Sequence, residues 1–446
     1  MNRDVQSELV WYKQPVNLSS ESLEKIKPEN IPVSRGIPIL LLSVFILILG
    51  NNLQGTLLGI RAGIEGMSSV SIGLMMSSYY GGFVLGSLFL PRLISSVGHI
   101  RTYAALASMA SAVTLAYVLI IFIPVWVIFR FMQGLCYSGM ILVIESWLTG
   151  CTTRGNRGQV LATYGVVFWG SAAFSQTLLN IAPPSSFFLF GLISILLSIA
   201  MVPITLAPSR TPSAVLKERL KIRRLHHISP LGMLGVLVSG ICIGAVWGMG
   251  PVFADNIKLS PRDISFFMTA IMAGALISQW PLGKLSDKMD RRYVIVGSCL
   301  IAGIMGIVFA IQQSYTFPLL IGLALVFGGL SFPLYSLSVA HVNDWVHEEE
   351  CVGTASTLIL LQGLGSAAGP MLAGFFMGIW GPQGLFYFVG GVLLILAVYG
   401  LYHTALQRRP AIAKIKRSFM AVPRVSFVFL HEHSKRKKKK EKKVCS

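Results

Sequence analysis

Residues 37–60 read IPILLLSVFILILGNNLQGTLLGI, 24 positions without a charged side chain. At 1.5 Å per residue, a helix of that length is about 36 Å long, enough to cross a hydrocarbon layer of about 30 Å. The run is too long for the apolar core of a cleaved signal sequence, and residues 1–35 before it are polar and mixed in charge. Similar runs recur to residue 405. The chain has 446 residues, 54% apolar and 12% charged, against roughly a quarter charged in a soluble domain. A water-soluble core of this size would need charges spread through its helices. Here the charges cluster between the apolar runs, so the chain reads as a polytopic membrane protein.

Apolar runs between charged or Pro/Gly-rich breaks predict twelve spans, near 37–60, 69–91, 102–122, 125–149, 159–182, 186–206, 231–253, 263–283, 293–312, 317–341, 353–378 and 384–405. An even number puts both termini on one side. Of the 37 Lys and Arg residues, 33 fall in the tails and in the loops on that side, and only Arg61, Lys258 and Arg262 lie in the opposite loops. Positive charge marks the cytoplasmic side, so both termini are expected there. The expected organisation is a cytoplasmic tail (1–36), a six-helix bundle (37–206), a basic cytoplasmic linker (207–230), a second six-helix bundle (231–405) and a basic tail (406–446). Gly-Ser-Ala-Ala occurs at 170–173 and again at 365–368, and the same offset places Gly134 on Gly329. The fold class is therefore all-α integral membrane, with twelve transmembrane helices in two pseudo-symmetric six-helix bundles.

The six cysteines are dispersed, with no CxxC and no His/Cys cluster, so no metal site, disulfide framework or cofactor is expected. Nor is there a nucleophile elbow or a pair of carboxylates for an embedded enzyme. Lys435–Lys443 is a low-complexity basic run, expected to be disordered and drawn to anionic lipid headgroups. No folded reader accompanies it, so nucleic acid is not an expected partner. The net charge of +19 comes from the tail and the loops on the same side.

The segment Gly283-Lys-Leu-Ser-Asp287-Lys-Met-Asp-Arg291-Arg292 resembles the cytoplasmic signature of the major facilitator superfamily. The matching first-half turn, Pro91 to Arg101, is degenerate, with Pro91 for the first Gly and Ser95 for the Asp. Arg130-Phe-Met-Gln133-Gly134 resembles the family's R-F-x-Q-G motif. Ile144-Glu145-Ser146 followed by Arg154-Gly-Asn-Arg157-Gly158 resembles the YcaD-like branch of bacterial members. The antiporter signature, a glycine run ending in Gly-Pro, is absent between Gly165 and Gln176. The resemblance covers residues 37–403 and implies a monomeric secondary transporter of a small solute, in a bacterial inner membrane, with a site between the halves and protons as a candidate coupling ion. A non-transporting sensor, receptor or lipid-handling protein on the same fold is the alternative.

In such a fold, polar and aromatic residues on the cavity helices are substrate candidates. They are Asn51, Asn52, Gln54, Arg130, Gln133, Tyr137, Trp169, Gln176, Trp247, Tyr335 and Gln362. Interhelical hydrogen bonding competes as an explanation for each. Arg130 and Glu145 are the ionisable residues deep in a span, and each costs about 2.5–3.5 kcal/mol on insertion scales, so each should face a cavity or a partner. For Arg130 the readings are a substrate or coupling site, with a lean to an anionic or zwitterionic solute, or a packing anchor. For Glu145 they are an ion pair with Arg101 or a carboxylate that carries a coupled proton.

Gating should involve Gly283, Asp287, Arg291 and Arg292. Asp287 would accept hydrogen bonds at the start of helix 5, beside Arg154 and Arg157. The missing first-half carboxylate at Ser95 would be replaced by Glu348, Glu349 and Glu350, facing the turn of Arg92, His99 and Arg101. The topology has a direct check in a background stripped of native cysteines. Single cysteines at Glu65 and Lys258 should react with an impermeant thiol reagent from outside, and those at Lys221 and Ser434 only from inside. Outside labelling at Lys221 would overturn the twelve-span arrangement.

Overall fold

A computed structural model describes residues 36–150, 157–206, 222–312, 315–346 and 350–406. They form helices and turns and no strand. The long helices are α1 (Gly36–Ile64), α2 (Ser69–Val97), α3 (His99–Leu119), α4 (Ile123–Gly150), α5 (Arg157–Thr177), α6 (Phe187–Leu206), α7 (Pro230–Asn256), α8 (Pro261–Lys288), α9 (Arg291–Ile311), α10 (Phe317–Asn343), α11 (Cys351–Trp380) and α12 (Gly384–Leu406). Arg154, Glu348, Glu349, both tails and most of the linker lie outside the described residues.

Eleven of these helices are long and apolar enough to cross a membrane by length and composition. The twelfth, α5, is 21 residues long but holds Gln159, Thr163, Gly165, Gly170, Ser175 and Gln176. It packs on α1 and α8, so less of its surface must be apolar for lipid. Two spans are interrupted at proline. In α6 the break falls at Ala200, one turn before Pro203, which has no N–H for the carbonyl of Ile199. The Ser43 hydroxyl on α1 donates to the Ala200 carbonyl at this break (2.6 Å). In α10 the break falls at Phe332-Pro333, and Pro333 leaves the Gly329 carbonyl without its helical partner. The Ser278 hydroxyl on α8 donates to that carbonyl (2.5 Å). Each break is thus met by a serine from a neighbouring helix.

Lipid gives helices little hydrophobic reason to associate, so packing rests on small residues that let backbones touch. In the first half Gly82 of α2 lies against the Phe131 carbonyl, and Gly134 of α4 against the Tyr79 carbonyl. In the second half Gly274 of α8 lies against the Leu325 carbonyl, and Gly328 of α10 against the Ile271 carbonyl. The α2–α4 and α8–α10 crossings are therefore copies of one another. The counterpart of Gly134 is Gly328, one residue short of the expected Gly329. The repeated Gly-Ser-Ala-Ala serves the halves differently. Gly365 lies against the Leu237 carbonyl of α7, whereas a side chain at Gly170 would meet open space.

Other pairs repeat too: α1–α5 with α7–α11, and α3–α6 with α9–α12. The halves meet along α2–α11, α5–α8 and α1–α7. The hydrogen bonds across α5–α8 lie toward the face of the α1–α2 and α7–α8 turns, away from the start of α1 and the end of α12. Ser265 donates to the Gln176 carbonyl (2.6 Å) and Asn180 to Ser265 (3.3 Å). Toward the same face, Gly73 and Gly374 bring α2 and α11 together. A Cβ at Gly73 would sit 2.5 Å from the Pro370 carbonyl oxygen, and one at Gly374 2.5 Å from that of Ser69. A larger residue must push the halves apart there. Gly73→Val and Gly374→Val should each raise severalfold the rate at which an impermeant reagent, applied from that face, labels a cysteine placed at Thr56. An unchanged rate in a stably inserted variant would show that these glycines do not seal that face.

Candidate functional site

A cavity enclosing about 900 Å³, including space open to solvent, lies between the halves. Asn51, Asn52, Arg130, Tyr137, Gln176, Trp247 and Gln362 line it, seven of the eleven residues expected from the sequence. The other four lie elsewhere. Gln54 and Gln133 turn toward α3, where both donate to the Thr114 hydroxyl (3.0 and 3.2 Å). Trp169 is buried among Phe168, Trp247 and Phe332, with ring centroids 5.7–6.2 Å apart. Tyr335 belongs to a satellite core with Val236, Val339 and Leu358, plugged by Leu225 from the short helix Ile222–Ile228 that precedes α7. Sequence reading missed the apolar wall: Met76, Tyr79, Tyr80 and Phe83 on α2, Phe168 on α5, Met268 and Met272 on α8, and Ile359 on α11.

Arg130 is 5% exposed, and no carboxylate among the described residues pairs with it. Its guanidinium lies over the Tyr79 ring, 4.6 Å from the centroid. One terminal nitrogen donates to the Gln133 amide oxygen (3.4 Å), the other approaches the Met76 sulfur (3.6 Å), and Nε has no partner among the described residues. A cation–π contact in a desolvated site is worth about 2 kcal/mol. Behind it Tyr117 donates to the Gln133 oxygen (3.1 Å), which fixes the amide's orientation. On the cavity side Tyr79 donates to Asn51 (3.1 Å), setting the ring beneath the guanidinium. Thr56 donates to Gln176 (2.8 Å), and Asn52 donates to the Ile48 carbonyl (3.0 Å). In the other half Gln362, 4% exposed, keeps its Nε2 donor without a partner among the described residues. Most wall amides are thus engaged with protein, while Arg130 Nε and Gln362 Nε2 remain as donors.

The described residues of the α8–α9 turn lie at the face where α1 begins and α12 ends. Arg291 is 2% exposed and bridges Asp287 (3.0 Å) and Asp344 at the end of α10 (2.8 Å). Arg292 pairs with Asp290 (2.7 Å), whose carboxylate also accepts from the Arg292 backbone N–H and so caps α9. Burial pushes the Asp290 carboxyl up, but the hydrogen bonds and charge of Arg292, with His341, outweigh it and hold the group below the usual carboxylate range. Gly283 is buried one turn before Asp287, and Arg157 opens α5.

Two expected partners are corrected. Glu145 is fully buried and accepts a hydrogen bond from Tyr164 of α5 (3.0 Å), whereas Arg101 is exposed and makes no ion pair among the described residues. Glu350 pairs with Arg224 of the short helix (2.6 Å), not with the α2–α3 turn. There the Ser95 hydroxyl donates to its own helix at Arg92 and His99 stacks on Trp147.

A sequence model of the Major Facilitator Superfamily matches residues 40–231 and again 232–437. The chain belongs to the Major Facilitator Superfamily. It is a multi-pass integral membrane protein of a transporter family, not an enzyme. It is 25% identical over 365 residues to an MFS-type transporter of Enterobacter sp. (strain 638), covering 81% of this chain and 94% of that one. It is 26% identical over 371 residues to the MFS-type transporter YcaD of Escherichia fergusonii, with the same coverage. The fold also matches a point mutant of the nucleoside transporter NupG, with a TM-score of 0.70 at 13% identity over 83% of this chain and 99% of that one.

The Arg291 bridge has a stability test. Breaking a buried ion pair costs about 3–5 kcal/mol, but Asp287 still faces Arg291 when Asp344 is removed. Asp344→Asn should therefore lower stability by about 2 kcal/mol in a thermal melt in lipid nanodiscs, and Arg291→Met added to it should recover most of the loss. A double variant no more stable than the single one would show that the bridge does not carry the stability.

Proposed function

We propose that this protein is a secondary transporter that moves a small solute bearing an anionic group by alternating access, with both termini in the cytoplasm of a bacterial inner membrane. The observation that carries this reading is Arg130. A guanidinium inside a membrane bundle is costly unless something compensates it, and here an aromatic face, an amide and a thioether are its neighbours. An oxyanion entering the cavity supplies the missing charge and accepts from Nε. The support comes from both halves. Gln362 offers a second free donor from α11, so a bound anion touches both bodies that must rock.

The cytoplasmic-face pairs fit a gate that opens and closes in the same cycle. Asp287, held by Arg291, stands ready to exchange toward the start of α5, where Arg154 and Arg157 lie in sequence. Protons remain the candidate coupling ion. Glu145 is hydrogen-bonded to Tyr164 and does not line the cavity, so it fits a tie between α4 and α5 better than a proton carrier at the substrate.

Proteoliposome uptake against a broad metabolite panel tests the reading. At least one anionic solute should accumulate or exchange. Removing one partner of a desolvated charge pair costs about 2 kcal/mol or more, so Arg130→Gln should weaken that transport by about 30-fold or more, and Arg130→Lys by less. Equal transport by wild type and Arg130→Gln would refute an anion site at Arg130.

A further inference from the structure

The polar inventory of the cavity says more than that an anion binds. Asn51 accepts from Tyr79, Thr56 donates to Gln176, and Asn52 donates to its own helix. Arg130 Nε and Gln362 Nε2 are buried donors without a partner among the described residues. Arg130 is the charged residue on the wall, and the rest is chiefly aromatic rings and thioethers. A dianion needs a second cation, and the described cavity wall supplies none.

We infer that the solute is an amphipathic organic monoanion, with one compact oxyanion head, such as a carboxylate, and an apolar body. This rests on the anion reading of Arg130 and narrows it. The head sits at Arg130, within reach of Gln362. The body lies along Trp247, Met268 and Met272, contributed by α7 and α8 of the second half. Methionine side chains adapt to bodies of different shape, so the site selects for length and apolarity more than for outline.

The test uses the full-length protein in nanodiscs, titrated with butyrate, hexanoate and octanoate, with the dicarboxylate and the neutral amide of matching length, and with inorganic phosphate. Each buried methylene should strengthen binding about fourfold until the cavity is filled. The dicarboxylate and the amide should each bind at least tenfold more weakly than the matching monocarboxylate. Met268→Asn with Met272→Asn should flatten the dependence on length. Partition into the nanodisc lipid is common to both proteins, so it cancels in that comparison. A length dependence that persists unchanged in the double variant overturns the proposal. So does a preference for the dicarboxylate or phosphate lost in Arg130→Gln, although the anion site then stands. Failure of every anion to bind overturns both.

Discussion

Backbone contact between α2 and α4 is the constraint from which the site follows. Gly82 and Gly134 let the two helices cross with each glycine against the other helix's carbonyl. Nothing but the absence of a side chain permits that approach. Arg130 sits one turn before Gly134, and Tyr79 is the residue whose carbonyl Gly134 touches. Closing the helices at those glycines therefore lays the guanidinium over the Tyr79 ring. A Cβ at either position would separate α2 from α4 and lift the cation from its ring. The R-F-x-Q-G motif is thus one device. Its glycine sets the distance, its arginine supplies the charge, and its glutamine, held by Tyr117, steadies one nitrogen.

The same crossing occurs between α8 and α10 with Gly274 and Gly328, yet no charged residue on the described cavity wall accompanies it. The duplicated packing has been kept and the chemistry placed in one copy. Around the cavity this produces a division of labour. The first half supplies Arg130, most of the wall amides and the aromatic side chains of α2, while the second supplies Gln362, Trp247, Met268, Met272 and Ile359. A ligand that fills the cavity touches both halves.

Much of the architecture was legible because membrane insertion writes it in long apolar runs. Even α5 was found, although its hydropathy is low, because charged loops bound it on one side and polar turns on the other. The site was less legible. Asn51, Arg130 and Gln362 stood out as polar groups in an apolar run. Gln54, Gln133, Trp169 and Tyr335 stood out in the same way but face α3 or the interior packing. Which side of a helix a residue occupies depends on crossing angles that hydropathy does not encode. Met76, Phe83 and Met272 were invisible for the opposite reason, since an apolar residue in a membrane helix carries no mark of whether it meets lipid, protein or ligand. The second-half arginine bridge depended on Asp344, which lies just beyond the C-terminal end of α10 and had no signature of its own.

The two halves differ at the face where α1 begins and α12 ends. In the second half a buried arginine is clamped between Asp287 and Asp344. In the first, the comparable region holds a buried carboxylate, Glu145, tied by a tyrosine of α5, and the turn keeps Ser95 hydrogen-bonded within its own helix. A half-exposed carboxylate such as Asp287 can exchange partners at low cost, because water screens it while it is unpaired. One buried beside Tyr164 has no such freedom. In the proposed transport cycle the contact that changes is therefore that of Asp287, while the Glu145–Tyr164 hydrogen bond holds α4 to α5.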